Sequence, residues 1–269
     1  KSFRAQARKE IAAMGGKKGI VGINEGLKES YEITAKVLDL KDSPACKEKN
    51  LCAFDNYNTQ LILDKGDEPR MKGSLKDATT CSDALILQFY EEPDAKKAAF
   101  GHDITLDDWT KISKIKDVYG DVLFTAPVVA VNVAHPLLVY MRDELMDKDR
   151  KLAFLCGHDS NIASVTAALE VEPYDLPYSI EKKTPIGCKL VIEKFEGKDG
   201  KMYCDINLTY QSTEQLRHIA MLSLDNPPQI FSLSLKGLQK NADGLYLLKD
   251  VEGRFMKAIR AYDKIEDEL

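Results

Sequence analysis

The stretch Leu152-Ala153-Phe154-Leu155-Cys156-Gly157-His158-Asp159-Ser160-Asn161 changes character at its middle. Its first half is a short apolar run, which suits a strand buried on both faces. Its second half starts with a glycine, and Ile162, Val165 and Leu169 then mark one face of a helix. A strand running into a helix in this way predicts an α/β core, and open α/β sheets bind ligands beyond the carboxyl ends of their strands. The helix N-terminus offers N–H groups and partial positive charge, which suit an anion. Gly157 lets the backbone turn sharply. His158 then stands where it can donate a hydrogen bond to an anionic oxygen, and Asp159 where it can give a proton to a leaving oxygen. Asp, Ser and Asn are also the commonest N-caps, so the same residues read as a helix start beside a structural histidine.

Working outward, the C-terminal half supplies more α/β signals. Lys189 to Phe195 and Met202 to Tyr210 alternate as strands, and Gly197-Lys198-Asp199-Gly200 between them is turn chemistry, so a hairpin is expected. Gln229 to Leu235 reads as another strand, and Val251, Phe255, Ile259 and Tyr262 as one face of a closing helix. Pro127 opens a helix toward Leu145, with Thr125 as its N-cap. Upstream the pattern is mostly helical. Ile33, Val37 and Leu40 share a face, as do Leu85, Ile86 and Phe89, and Trp109, Ile112 and Tyr119. Thr105-Leu106-Asp107-Asp108 has capping-box spacing, and Gly120 suits the C-terminal cap of that helix. Pro44 to Gly73 is rich in turn formers and reads as a long loop, and Gly19 to Asn24 as a glycine-punctuated connector. Phe3, Ala7, Ile11 and Met14 fall on one helical face that Gly15-Gly16 ends. The chain thus reads as opening inside an element, with any export signal upstream of Lys1.

Composition sets limits on function. The 269 residues are 44% hydrophobic and 30% charged, which is enough to bury a sizeable core. A net charge of −5 gives no support for a nucleic-acid partner. Val122 to Met141 lacks formal charge and reaches membrane-spanning length, but Pro127, Asn132, His135 and Pro136 interrupt it. A buried, Pro-kinked helix is the expected form, with no membrane partner. The six cysteines include no CxxC pair, so no metal site is expected. Cys46 and Cys52 bracket a short polar loop; they either close a small ring in an oxidising compartment or remain thiols in a reducing one. The state of Cys81, Cys156, Cys188 and Cys204 is left open. His102, His135 and His218 lack metal-ligand spacing and read as structural.

Gly157-His158-Asp159-Ser160-Asn161-Ile162-Ala163-Ser164 closely resembles the C-terminal motif of the histidine acid phosphatases. The likeness extends, in order, through Lys41-Asp42-Ser43-Pro44-Ala45-Cys46-Lys47-Glu48-Lys49, Leu87-Gln88-Phe89-Tyr90-Glu91, Thr184-Pro185-Ile186-Gly187 and Tyr210-Gln211-Ser212. The resemblance implies an α/β fold with a mixed central sheet flanked by helices, of the phosphoglycerate mutase-like histidine phosphatase kind. A mainly helical cap over residues 27–123 would be inserted into a core formed by 1–26 and 124–269.

The resemblance also implies a mechanism. In this family a histidine within Arg-His-Gly-x-Arg-x-Pro attacks phosphorus and forms a phosphohistidine, which water then hydrolyses. Arginines and a second histidine hold the phosphoryl oxygens, and an aspartic acid protonates the leaving alkoxide. His158 matches the phosphate-binding histidine and Asp159 the proton donor. The nucleophile motif does not occur in residues 1–269; Arg217-His218 lacks the Gly-x-Arg-x-Pro that would follow. The nucleophile is therefore expected upstream of this chain. No metal or organic cofactor is implied.

Glu91 matches a cap acid that faces the substrate's sugar. A carboxylate there accepts hydrogen bonds from hydroxyls and repels additional phosphates. The implied substrate is a small-molecule phosphate ester, a sugar phosphate such as glucose 1-phosphate, rather than the inositol hexakisphosphate of a phytase-type relative. The resemblance favours a Cys46–Cys52 disulfide and a periplasmic or secreted protein. The rival expectations are a non-catalytic phosphate- or sugar-binding relative, or a phytase-type enzyme of the same family. Oligomeric state is not readable from the sequence.

Overall fold

Thr105 sets the longest helix of the N-terminal half in register. Its hydroxyl accepts from the Asp108 N–H at 3.1 Å, while the Asp108 carboxylate accepts from the Thr105 N–H at 2.8 Å, closing the expected capping box. A computed structural model describes residues 2–56 and 58–266, and within it eleven helices and six strands make an α/β protein. The helices of the first half are α1 (Phe3–Met14), α2 (Ile20–Glu25), α3 (Lys28–Val37), α4 (Pro44–Lys49), α5 (Ser74–Glu91), α6 (Ala95–Ala98) and α7 (Leu106–Phe124). Strands β1 (Gln60–Ile62) and β2 (Arg70–Lys72) pair antiparallel between α4 and α5. The second half holds α8 (Pro127–Met146), α9 (Asp159–Ala168), β3 (Lys189–Glu196), β4 (Met202–Tyr210), α10 (Thr213–Arg217), β5 (Gln229–Ser232), β6 (Tyr246–Leu247) and α11 (Leu248–Tyr262).

The hairpin β3–β4 forms with Ile192 opposite Ile206, and its turn closes through the Gly197 N–H to the Lys201 carbonyl at 2.8 Å. β4 is central: β3 takes one edge, while β5 and β6 share the other, all antiparallel. Ile206 and Leu208 of β4 are buried against Val251 and Phe255 of α11 and Leu138 of α8. A second cluster joins Phe3, Ala7 and Ile11 of α1 to Val122, Leu123 and Val129 across the α7–α8 junction. A third gathers Val37, Leu85, Ile86, Phe89, Trp109 and Ile112 of α3, α5 and α7, with the Phe89 and Trp109 rings stacked at 4.3 Å. Each such buried Val, Leu, Ile or Phe side chain contributes about 1.5–3 kcal/mol over leaving it in water.

Several expectations change. The run Leu152–Cys156 belongs to no ladder, and Leu152 and Phe154 are 80% and 77% exposed. No strand among the described residues lies beside it to pair its backbone or cover its side chains. Gly120 does not end its helix: α7 continues to Phe124 because Val122, Leu123 and Phe124 are buried, which outweighs the roughly 1 kcal/mol that glycine costs within a helix. Thr125 does not cap α8 either; its hydroxyl donates to the Asp121 carbonyl at 2.8 Å and closes α7 instead. The uncharged stretch 122–141 is thus two helices that meet at 82°, and among the described residues no single helix is long and apolar enough to cross a membrane.

The long loop 44–73 contains α4, begun by Ser43 accepting from the Cys46 N–H, as well as the β1–β2 pair. Cys46 and Cys52 are joined in a disulfide, while Cys81, Cys156, Cys188 and Cys204 are free thiols. The connector 19–24 is helical. Gly15 and Gly22 lie so close that a Cβ on Gly22 would be 2.1 Å from the Gly15 carbonyl oxygen, so these glycines serve a tight contact between turns rather than a loose joint.

Candidate active site

Residues 158–161 stand at the start of α9, which packs against α7 and α8. The Asn161 carboxamide oxygen accepts from the His158 N–H at 2.8 Å and fixes the backbone on which the imidazole is carried. A cavity of about 540 Å³ opens here, lined by His158, Asp159 and Asn161, Tyr119 of α7, Asn132 of α8, and Asp67 and Glu68. Asn132 is buried and holds the 66–67 segment of that lining: it accepts from the Gly66 N–H at 2.8 Å and donates to the Asp67 carbonyl at 3.2 Å. In the sequence this asparagine is only an interruption of an apolar run.

Asp159 lies between two cavities. Its other side faces a second space of about 300 Å³ lined by Thr79 and Asp83 of α5, Lys116 and Asp117 of α7, and Lys183. One Asp159 oxygen accepts from the Ser160 N–H at 2.8 Å, and the other is 3.8 Å from the Lys116 ammonium. The first-turn amides of Ser160 and Asn161 are engaged within the turn, the latter with the His158 carbonyl at 3.1 Å. These contacts leave fewer N–H groups at this end of α9 open to an anion than a bare helix start would offer.

Lys116 is a part of the site that local sequence does not mark. Its ammonium is 2.7 Å from one oxygen of Glu181, whose side chain is fully buried at 0% exposure. The other Glu181 oxygen accepts from the Tyr90 hydroxyl at 3.1 Å and the Ile186 N–H at 3.2 Å. Burial works against the lysine's charge, but Glu181 and then Asp159 outweigh it and hold its pKa above the ordinary value. Burial, with Glu181 adding to it, pushes the Tyr90 phenol above its usual range. Next along α7, Asp117 accepts from the Lys182 N–H at 3.0 Å, yet burial, reinforced by Glu181, pushes its carboxyl up to about 7.

Glu91 is the last residue of α5, exposed, and lies outside the residues that line either cavity; the α5 acid on the second cavity is Asp83. The remaining histidines have structural partners: His102 with Asp39 at 3.1 Å, His135 stacked on Tyr262 at 4.1 Å, and His218 with Glu214 at 3.0 Å. Among the described residues no group of three or more His, Cys, Asp or Glu is placed to hold a metal ion.

No family model matches the chain. It is 38% identical over 238 residues to a glucose-1-phosphatase of Providencia rettgeri, covering 87% of this chain and 57% of that protein. It is 39% identical over 223 residues to the glucose-1-phosphatase of Salmonella typhimurium, covering 81% of this chain and 54% of the relative. The chain thus spans a little over half the length of these relatives. The phytase from Citrobacter braakii superposes with a TM-score of 0.82 over 94% of this chain and 65% of the phytase, at 24% identity, a likeness of fold. These alignments, over segments that carry Gly157-His158-Asp159, show that the chain belongs to the histidine acid phosphatase family.

Proposed function

We propose that this chain serves in an acid phosphatase that hydrolyses phosphomonoesters, sugar phosphates among them, through a phosphohistidine whose nucleophile is supplied from outside residues 1–269. The observation that carries this reading is the placement of Asp159. It lines one cavity together with His158 and also lines a second. A phosphoryl group held by His158 in the first puts the leaving oxygen toward Asp159, and the second has room for the alcohol portion. The names of the glucose-1-phosphatase relatives support the same reaction class.

The chemistry follows in two steps. The attacking imidazole nitrogen bonds to phosphorus as the ester P–O bond breaks, and the leaving alkoxide takes the proton of the Asp159 carboxylic acid. Water then attacks phosphorus, the Asp159 carboxylate accepts its proton, and the P–N bond breaks to release phosphate. The His158 side chain contributes hydrogen bonding to the phosphoryl oxygens in both steps. Residues 27–123 act in this reading as a helical cap over a core of 1–26 and 124–269. The resemblance assigns sugar selection to Glu91, which stands at the end of α5 outside the lining of both cavities. The Cys46–Cys52 bond supports an exported protein, since disulfides persist in oxidising compartments.

The test is Asp159→Asn in the full-length protein. Turnover of an alkyl phosphate, whose leaving group needs a proton, is expected to fall by ~10²–10⁴. Turnover of an aryl phosphate with an acidic phenol is expected to fall much less, with inorganic phosphate still binding. Near-normal turnover of the alkyl phosphate overturns the proposal.

A further inference from the structure

We propose that Lys116 is a positioning residue for Asp159, and that Glu181 fixes Lys116 in that role. The inference rests on the reading of Asp159 as the proton donor. It is carried by one juxtaposition: a single ammonium 2.7 Å from a fully buried carboxylate and 3.8 Å from the exposed one that meets the substrate.

The anchoring is unequal. Glu181 accepts from the Lys116 ammonium, the Tyr90 hydroxyl and the Ile186 N–H, so its two oxygens are held from α7, α5 and the loop after Thr184. Lys116 itself is 15% exposed. Swinging out to water would strand a buried negative charge, which proteins strongly resist. The ammonium is therefore a fixed point, whereas Asp159 is half exposed and its one close hydrogen bond is to the adjacent Ser160 N–H. A fixed cation beside a carboxyl group that is otherwise free to rotate orients it electrostatically. The arrangement also gives Thr184-Pro185-Ile186-Gly187 a part in the site, because its Ile186 N–H holds the carboxylate that holds the lysine.

A purely structural ion pair would be expected to leave the protein less stable when broken, without regard to the leaving group. A positioning role makes the loss depend on how much the leaving oxygen needs its proton. The experiment compares kcat for an alkyl phosphate with kcat for an aryl phosphate in the full-length protein, for Lys116→Met, Lys116→Arg, Glu181→Gln and Asp159→Asn. Because Lys116→Met strands Glu181, the double variant Lys116→Met/Glu181→Leu removes both charges together and keeps the test open if the single variant fails to fold. The alkyl-to-aryl kcat ratio is expected to fall ~10- to 100-fold in Lys116→Met or the double variant, the scale of a misplaced catalytic group. It should fall less in Glu181→Gln and recover in part in Lys116→Arg. An unchanged ratio in the Lys116 variants, with a collapsed ratio in Asp159→Asn, overturns the inference and leaves the proton-donor reading intact. An unchanged ratio in Asp159→Asn overturns both.

Discussion

Gly157→Ala should damage the site through Asn161 while barely touching the fold. A Cβ on Gly157 would stand 2.8 Å from the Asn161 carboxamide oxygen, 3.4 Å from its carbon and 3.6 Å from its Cβ. That same oxygen accepts from the His158 N–H at 2.8 Å. The three nearest atoms all belong to the Asn161 side chain, so Asn161 can rotate away at the loss of this one hydrogen bond, about 0.5–1.5 kcal/mol. Gly157 is not among the positive-φ glycines, so alanine is unstrained there and returns about 0.4–1 kcal/mol by restricting the unfolded chain. The two terms nearly cancel, and the melting temperature should move by less than about 4 °C. Activity is another matter, because the released His158 backbone carries the imidazole proposed to bind phosphate, and a shift of about 1 Å can cost ~10²-fold in rate. The assay is kcat/KM on a sugar phosphate beside thermal unfolding, for Gly157→Ala in the native and Asn161→Ala backgrounds. With the carboxamide gone, the added methyl should have little further effect. An equal loss in both backgrounds would refute this account of the glycine.

Three further outcomes are expected. The Asp117 pKa is raised to about 7, above that of an unfolded aspartate, so its contribution to stability is full below about pH 4 and is lost as pH rises through about 7. Asp117→Asn, which keeps an acceptor for the Lys182 N–H, should therefore gain on the native protein in urea midpoint between pH 4 and pH 8; parallel curves would contradict this. Trp109→Ala, which empties the stack on Phe89, should cost about 3–5 kcal/mol in denaturant unfolding, and a loss under 1 kcal/mol would deny that this cluster holds α3, α5 and α7 together. Glu91→Ala should weaken hydrolysis of a sugar phosphate more than of an aryl phosphate; equal loss on both removes Glu91 from sugar selection.

Local signals were the legible ones. The Thr105–Asp108 box, the β3–β4 turn and the apolar faces of α1 and α11 are written in residues a few positions apart, and the structure forms them as expected. Readings that depended on distant packing changed. Gly120 carries a stop signal that buried Phe124 overrides, and Thr125 spends its hydroxyl on the preceding helix rather than the next. Leu152–Cys156 has a strand's composition, but forming a strand needs a partner, and none of the described residues provides one. The candidate motif Gly157-His158-Asp159 stands out in sequence because three adjacent residues carry it. The Lys116–Glu181 pair was not, since it joins positions 65 apart and each looks like an ordinary surface charge in its own segment. At Gly157 the local constraint is the close approach of the Asn161 side chain rather than a positive φ.

His158 and Asp159 are proposed as half of a phosphohistidine site in which neither attacks phosphorus. The decisive experiment is rapid quenching of the full-length protein during turnover of a sugar phosphate labelled in its phosphoryl group, followed by peptide mapping. An acid-labile, base-stable phosphohistidine is expected on a peptide outside residues 1–269 and not on His158. Label on His158, or turnover with no covalent phosphoenzyme at all, would overturn the proposal.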